Sequence, residues 1–180
     1  MTRITDTEAH SFWNLIIQRY YNKVLNFVFH STHDYFLAED ITQEAFARAI
    51  HHFRQLKDPD KFFPWVISIA LNVIRKQSQS RGRTVLMNTD IFPDRAAAAS
   101  DPEHILNQEE TSRRVLNAVH KLSPQEKNVV LMRYYLDMKE KDIAFALGVT
   151  RGTVKKLLFR GRAKLYENLD NCFSKEGEEQ

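Results

Sequence analysis

Several residue types are scarce in this 180-residue chain, and each scarcity excludes a class of protein. The single cysteine, Cys172, has no partner for an intrachain disulfide, and no cysteine–histidine group has the spacing of a zinc site. Five glycines and five prolines leave few helix breakers, so long helices are permitted. The apolar runs are well short of the roughly 20 residues of a membrane span, and the N-terminal ten residues lack the apolar core of a signal peptide. We therefore expect a cytoplasmic protein without metal, cofactor or membrane insertion.

A large excess of charge of one sign is also lacking. The formal net charge is +3 and the isoelectric point is about 9.0. An excess of this size does not by itself indicate a nucleic-acid partner. Residues 174–180 are mostly acidic, so the positive charge is concentrated elsewhere in the chain.

Helical periodicity is the main pattern that the sequence does contain. In the first half, apolar residues recur every three or four positions in three stretches separated by polar turns. The stretches are 12–28, 41–53 and 62–74, and the turns are 30–34 and 57–61. No stretch alternates for long with the period of two that a strand requires, so the first half predicts a small helical bundle.

The middle of the chain loses this periodicity. Residues 83–103 have no sustained period and contain two prolines, Pro93 and Pro102, which predicts a flexible linker. Helical patterning resumes afterwards, and Ser123–Pro124 is typical of a helix start. We predict an all-α protein with two small helical domains joined by a flexible linker. The predicted bounds are 1–83 and 104–172 for the domains, 84–103 for the linker and 173–180 for an acidic tail.

The most informative local motif is a helix-turn-helix in the second domain. Residues 139–146 have the pattern of a short helix, and Gly148 lies where the chain must reverse with a positive φ. Thr150 is placed to cap the next helix, whereas Lys139 is a weak cap for the first. The inward stripe of the second helix is Val154, Leu158, Gly161 and Leu165.

Cations lie on the outward side of that second helix. In a recognition helix, residues near the start reach base edges in the major groove, and cations further along contact phosphates. A basic surface helix that is merely solvated is the alternative. Because the glycine turn, the cap and the apolar stripe agree with one another, they favour DNA binding.

Three segments resemble a known family. KLSPQEKNVVLMRYYLDMKEKDIAFALGVTRGTVKKLLFRGRAKLYENL is similar to region 4 of the extracytoplasmic-function (ECF) sigma factors of bacterial RNA polymerase. AEDITQEAFARAIHHF resembles region 2.2, and FFPWVISIALNVIRKQSQSRGR resembles regions 2.3 and 2.4. The resemblance covers nearly the whole chain in the order that this family has.

The region 4 resemblance implies that the second domain recognises the −35 promoter element and contacts the β flap of the polymerase. Lys156 stands where many members have Ser, and Leu157 where many have Arg. We therefore expect the −35 sequence preference, but not the docking mode, to differ from that of relatives. The implied −35 residues are Thr150, Arg151, Gly152, Thr153, Lys155, Lys156 and Arg160.

The resemblance to regions 2.3 and 2.4 implies recognition of the −10 element and strand opening. In the family, the loop that matches residues 57–63 receives a flipped base, aromatic rings stack on bases, and basic residues contact the strand. A place in the core is the alternative for Trp65, because it lies on the apolar face of its helix. The implied −10 residues are Lys61, Phe62, Phe63, Trp65, Asn72, Arg75 and Lys76.

Region 2.2 of the family docks on the clamp-helix coiled coil of the polymerase β′ subunit. Asp40, Gln43 and Glu44 match its motif, and a basic coiled coil would attract this carboxylate-rich face. That Asp40 simply starts a helix is an alternative reading, and both can hold. An anti-sigma factor is a further partner that the resemblance implies.

The expected function is that of a dissociable initiation factor, not an enzyme, and without catalytic residues. It would bind core RNA polymerase, recognise the −35 and −10 elements and assist strand opening, and its two domains would change orientation on polymerase. An autonomous helix-turn-helix regulator that binds duplex DNA without polymerase is the alternative. That alternative explains the second domain but not the acidic and aromatic motifs of the first. A serine recombinase would need a strand-rich catalytic domain, for which the first half has no pattern.

Overall fold

Seven α-helices form the described part of the chain, residues 6–80 and 114–174 of a computed structural model. They are α1 (Asp6–Thr32), α2 (Tyr35–His51), α3 (Phe62–Ser80), α4 (114–120), α5 (Pro124–Val130), α6 (Glu140–Leu147) and α7 (Arg151–Ser174). Two 3-10 turns, Phe53–Gln55 and Pro59–Lys61, join α2 to α3, and a π-helical turn, Leu131–Tyr135, follows α5. Residues 6–80 and 114–174 contain no strand, which confirms the all-α prediction for them. The predicted linker at 84–103 lies outside the described residues.

The break between α1 and α2 is shorter than the predicted turn at 30–34. α1 continues to Thr32, and His33 then adopts a φ of +58°. Asp34 caps α2 by accepting a hydrogen bond from the Leu37 N–H (3.0 Å). Asp40 therefore lies more than one turn inside α2, and the alternative reading that it starts the helix is wrong.

The predicted turn at 57–61 does interrupt the first group of helices. The Asp58 carboxylate accepts a hydrogen bond from the Asp60 N–H (3.0 Å), and Pro59 opens the second 3-10 turn. α3 then begins at Phe62 and packs against both α1 and α2. Its fully buried side chains are Val66, Ile67 and Ala70.

α5 starts where Ser123–Pro124 predicted, and its first turn forms a capping box. The Ser123 Oγ accepts a hydrogen bond from the Glu126 N–H (3.5 Å), and the Glu126 carboxylate accepts one from the Ser123 N–H (3.2 Å). The same buried carboxylate binds Lys164 of α7 through Oε1 (2.9 Å) and Oε2 (2.8 Å). Lys164 and then Ser123 lower the pKa of Glu126, so the carboxylate remains ionised and ties α5 to α7.

α7 passes close to α5 at Gly161. A Cβ at this position would lie 2.9 Å from the Val130 Cγ2, closer than such atoms normally approach. A Cβ at Gly152 would meet only the Thr150 Oγ1, at an ordinary 3.7 Å. The two glycines of α7 therefore differ in the space available for a side chain.

We expect Gly161→Ala to destabilise the second group of helices by about 1 kcal/mol. Alanine gains about 1 kcal/mol of helix propensity over glycine, but overpacking costs about 1–3 kcal/mol. Urea unfolding measures the change, with Gly152→Ala as the matched control that should not destabilise. Adding Val130→Ala should partly relieve the overpacking in Gly161→Ala. A Gly161→Ala chain more stable than the parent would contradict the close approach.

The two groups of helices, α1–α3 and α4–α7, pack against each other. α6 lies against α3, while α5 and the π-helical turn lie against α1. Buried side chains of both groups belong to one hydrophobic cluster. The Asn26 Nδ2 also donates to the Tyr135 Oη (2.9 Å) across this boundary. We call this packing the closed arrangement; no pattern in the sequence predicts it.

Two of the sequence predictions concern a membrane-spanning segment and a metal site. Within residues 6–80 and 114–174, no helix combines the length and apolarity required to cross a membrane. The same residues contain no group of three or more His, Cys, Asp or Glu side chains positioned to hold a metal ion.

Candidate nucleic-acid interface

α6 and α7 form the predicted helix-turn-helix. Gly148 ends α6 with φ +64° and ψ +33°, the left-handed conformation that glycine adopts most readily. Thr150 caps α7, because its Oγ1 accepts a hydrogen bond from the Thr153 N–H (3.2 Å). Lys139 precedes α6 without a side-chain cap bond, as predicted. The inward stripe of α7 is confirmed by the burial of Val154, Leu158 and Gly161 and the half-burial of Leu165.

The residues implied for the −35 element are all exposed around the start of α7. Successive residues of a helix are about 100° apart around its axis, so Lys155 and Arg160 are separated by about 140°. They therefore lie on the two sides of the exposed face, with Lys156 between them. A face of this width can contact the phosphates on both sides of a groove while the start of the helix approaches base edges.

Phe159 is an exposed aromatic residue on this face that the sequence analysis did not select. Its side chain is 70% exposed, one turn after Lys155 and adjacent in sequence to Arg160. Leu157, in contrast, is half-buried and packs against the core. The sequence signal for Phe159 is a large apolar residue at an outward position of an amphipathic helix, which indicates an exposed contact residue. Of the two departures from the family, only Lys156 lies on the exposed face.

The residues implied for the −10 element in α3 share one side of that helix. Trp65, Asn72 and Lys76 follow one another at spacings of seven and four, and Arg75 lies beside them. The Arg75 Nη1 donates to the Asn72 Oδ1 (2.9 Å), and Asn72, Arg75 and Lys76 are exposed. Trp65 is half-buried, with its ring 6.3 Å from that of Phe62. Its side chain therefore belongs partly to the core and partly to the surface.

Phe62 and Phe63 face inward at the start of α3. Phe62 is 4% exposed and packs against the rings of Trp13, Tyr20 and Phe53. Phe63 stacks on Tyr20 with ring centroids 4.9 Å apart. The expectation that Phe62 presents an open stacking surface is wrong for this arrangement, because burying a phenyl ring in an aromatic cluster is favourable.

Lys61, which immediately precedes α3 of the first group, forms an ion pair with the second group of helices. Its Nζ donates to the Asp142 carboxylate of α6, 81 residues along the chain. Because of this hydrogen bond, the pKa of Lys61 is raised. Asp142 therefore provides the negative charge that a nucleic-acid phosphate would otherwise offer to this lysine, a contact that sequence reasoning missed and no local pattern indicates.

The residues implied for polymerase binding lie on one side of α2. Asp40 and Gln43 are exposed, and the Gln43 side chain lies close to Tyr21 of α1. Glu44 is half-buried and pairs with Arg48 one turn later. Asp40 is therefore the carboxylate of this face most available to a partner.

Two family descriptions match the chain, one over each group of helices. "Sigma-70 region 2" matches residues 16–84, and "Sigma-70, region 4" matches residues 112–165. The acidic face of α2 and the basic face of α3 lie within the first match. The helix-turn-helix and the exposed cations of α7 lie within the second.

Alignments with similar proteins cover most of the chain. The RNA polymerase sigma-H factor of Pseudomonas aeruginosa is 25% identical over 159 residues, which cover 83% of this chain and 82% of that protein. The ECF RNA polymerase sigma factor SigM of Bacillus subtilis is 29% identical over 152 residues, which cover 83% of this chain and 90% of that protein. Among solved structures, the sigma factor RpoE of Bartonella quintana, in complex with the anti-sigma factor NepR, has a TM-score of 0.72 at 18% identity. That likeness concerns the fold and covers 88% of this chain and 96% of RpoE.

Proposed function

The chain belongs to the ECF group of the sigma-70 family of RNA polymerase sigma factors, and on this basis we propose which of its surfaces recognise promoters. Sigma factors of this group bind core RNA polymerase, recognise the −35 and −10 elements and assist strand opening. The observation that carries the assignment of surfaces is the exposed cationic face of α7, which the Gly148 turn and the Thr150 cap hold in position.

The first half of α7 reads the −35 element in the major groove. Arg151 and Thr153, near its start, contact base edges. Lys155 and Arg160, on opposite margins of the exposed face, contact the phosphates of the two strands that border the groove. Phe159 lies between these margins and makes an apolar contact with a thymine methyl group.

The exposed side of α3 contacts the −10 element. Asn72, Arg75 and Lys76 bind the separated strand, and the open part of the Trp65 ring stacks on a base. Phe62 supports the adjoining loop from within the core. Flipping a base costs a few kcal/mol, which a stacking contact of about 1–3 kcal/mol and phosphate contacts offset. Strand opening therefore needs binding energy but no covalent step, and we assign no enzymatic activity to the chain.

Two protein partners, core RNA polymerase and an anti-sigma factor, complete the assignment. Asp40, Gln43 and Glu44 bind the β′ clamp helices of core polymerase, and the second domain contacts the β flap. An anti-sigma factor binds the chain when it is not on polymerase, as NepR binds the Bartonella quintana protein. All of this occurs in the cytoplasm. The domain bounds that we propose are 1–83 and 104–172.

An autonomous helix-turn-helix regulator is the alternative function. It accounts for α6 and α7 but leaves the exposed Asp40 face and the cationic side of α3 without a role. The regulator would bind duplex promoter DNA equally well with and without polymerase. The sigma factor would produce promoter-specific RNA only in combination with core polymerase.

Run-off transcription tests the proposed function. Core RNA polymerase and a set of genomic promoter fragments, with and without the chain, should yield discrete transcripts only when both proteins are present. Asp40→Lys should abolish most of these transcripts while leaving duplex binding by α7 intact. Specific duplex binding without any polymerase-dependent transcript would support the regulator instead.

A further inference from the structure

Three histidines and a lysine meet where the end of α1 contacts α4 and α5. The His33 Nε2 is 2.9 Å from the His120 Nδ1 and 3.2 Å from the Lys127 Nζ. The rings of His33 and His120 have centroids 4.1 Å apart. His30, one turn earlier in α1, packs its ring against Tyr135 at 5.7 Å. We call His30, His33, His120 and Lys127 the histidine cluster.

Among the described residues, the charges around the histidine cluster are of one sign. The charges that act on its imidazoles are those of Lys127 and of the other histidines in the cluster. Among the described residues, the neighbouring carboxylates point elsewhere, since Asp34 caps α2 and Glu126 binds Lys164. Arg133 of the π-helical turn donates to the Met138 carbonyl oxygen (3.1 Å). Within residues 6–80 and 114–174, a proton added to the cluster therefore meets positive charge without a compensating carboxylate.

Protonation weakens this contact for a structural reason. A hydrogen bond between two imidazole nitrogens needs a lone pair on one of them, so the His33–His120 bond is lost when both rings are protonated. Burial first, and then the neighbouring charges of the cluster, lower the pKa of His30 and of His33 to about 4. Burial and Lys127 also lower the pKa of His120.

The direction of the pH effect follows from these shifts. Once the groups of helices separate, the imidazoles regain an ordinary pKa near 6.5 and take up protons. The closed arrangement binds fewer protons than the open one. Its stability is therefore fully present above about pH 6.5 and is lost as the pH falls from there towards about 4.

The closed arrangement is incompatible with simultaneous recognition of both promoter elements. The −35 and −10 elements lie about 25 base pairs apart, which is about 85 Å of B-DNA at about 3.4 Å per base pair. Packed helices such as α3 and α6 have axes only about 8–10 Å apart. The Asp142 carboxylate also accepts a hydrogen bond from Lys61, one of the residues that the family resemblance implies for the −10 element. Residues 81–113 have a maximum contour of about 110 Å, enough chain to connect separated domains.

We propose that the closed arrangement is an autoinhibited form of the free sigma factor, and that the histidine cluster opens it when the pH falls. Protonation drives α4 and α5 away from the end of α1, which releases α6 from α3 and frees Lys61 from Asp142. The inhibition of promoter binding rests on the function proposed above, whereas the pH-dependent separation of the two groups of helices does not.

The expected size of the effect follows from proton binding. At pH 5.5, a histidine with a pKa of about 4 in the closed form and about 6.5 in the open form shifts the equilibrium about tenfold towards opening. His30 and His33 together shift it about a hundredfold relative to pH 7.5. Removal of His33 and His120 should leave about tenfold or less, from His30 alone.

Energy transfer between fluorophores measures this equilibrium without polymerase or DNA. Labels at Ala47→Cys of α2 and Ala163→Cys of α7, in a Cys172→Ser chain, report the distance between the two groups at pH 7.5 and pH 5.5. His33→Asn with His120→Gln is the test variant, because asparagine tolerates the positive φ of His33. His51→Gln, at an exposed histidine of α2, is the matched control.

We expect the open fraction of the parent and of His51→Gln to rise strongly at pH 5.5, and that of the double variant to rise far less. Asp142→Asn should open part of the population already at pH 7.5 and increase binding to single-stranded −10 DNA. In that variant the open form is easier to detect, so its pH response provides a second test. Equal distances at both pH values, or the same acid opening without His33 and His120, would overturn the proposal.

Discussion

Replacing both Lys155 and Arg160 by alanine should weaken binding to duplex −35 DNA by about a hundredfold at fixed salt. Each residue lies on one margin of the exposed face of α7, so each is expected to contact a different strand. A charge-assisted contact of about 1.4 kcal/mol corresponds to tenfold in affinity. Loss of two phosphate contacts should also reduce the slope of log K against log salt by about 1.8. Fluorescence anisotropy across a salt series measures both quantities.

Two single variants make this experiment specific. Lys23→Ala removes an exposed cation from α1 and should leave the −35 affinity unchanged. Phe159→Ala should reduce discrimination between A·T and altered base pairs without changing the salt slope, because a thymine methyl contact carries no charge. If Lys155→Ala/Arg160→Ala retained the parent affinity and slope, α7 would not be the phosphate-binding helix.

Reversing the charges of α2 with Asp40→Lys and Glu44→Lys should lower the affinity for core RNA polymerase at least tenfold. Both residues lie on the side of α2 away from its buried face, and reversal replaces attraction to a basic coiled coil by repulsion. Glu44→Lys also breaks the pair with Arg48, which costs the helix only a few tenths of a kcal/mol. The fold should therefore survive. Titration of labelled chain with core polymerase measures the affinity.

Controls separate the polymerase surface from net charge. Glu167→Lys reverses an exposed carboxylate near the end of α7 and should not affect docking of α2 on polymerase. Thermal unfolding by circular dichroism should give the charge-reversed α2 variant nearly the melting temperature of the parent. Undiminished polymerase binding by a well-folded Asp40→Lys/Glu44→Lys chain would remove the proposed role of this face.

Local sequence was sufficient for most of the helices and for the helix-turn-helix. The Ser123 capping box, the left-handed Gly148 and the Thr150 cap depend on residues within four positions of one another, so pattern and propensity determine them. The inward stripe of α7 follows from helical periodicity in the same way. The same periodicity places Phe159 on the outward side of α7, so its exposure was predictable from the sequence.

Other features were decided only by tertiary packing. Phe62 carries the same local signal as an exposed stacking residue, but α1 supplies the aromatic rings that bury it. Lys61 meets Asp142 across 81 residues, and His33 meets His120 across 87. Such pairs depend on which faces of distant helices come together, and no periodicity within one helix contains that information. The sequence alone therefore established the two promoter-reading modules, while the tertiary structure determined how they close on each other.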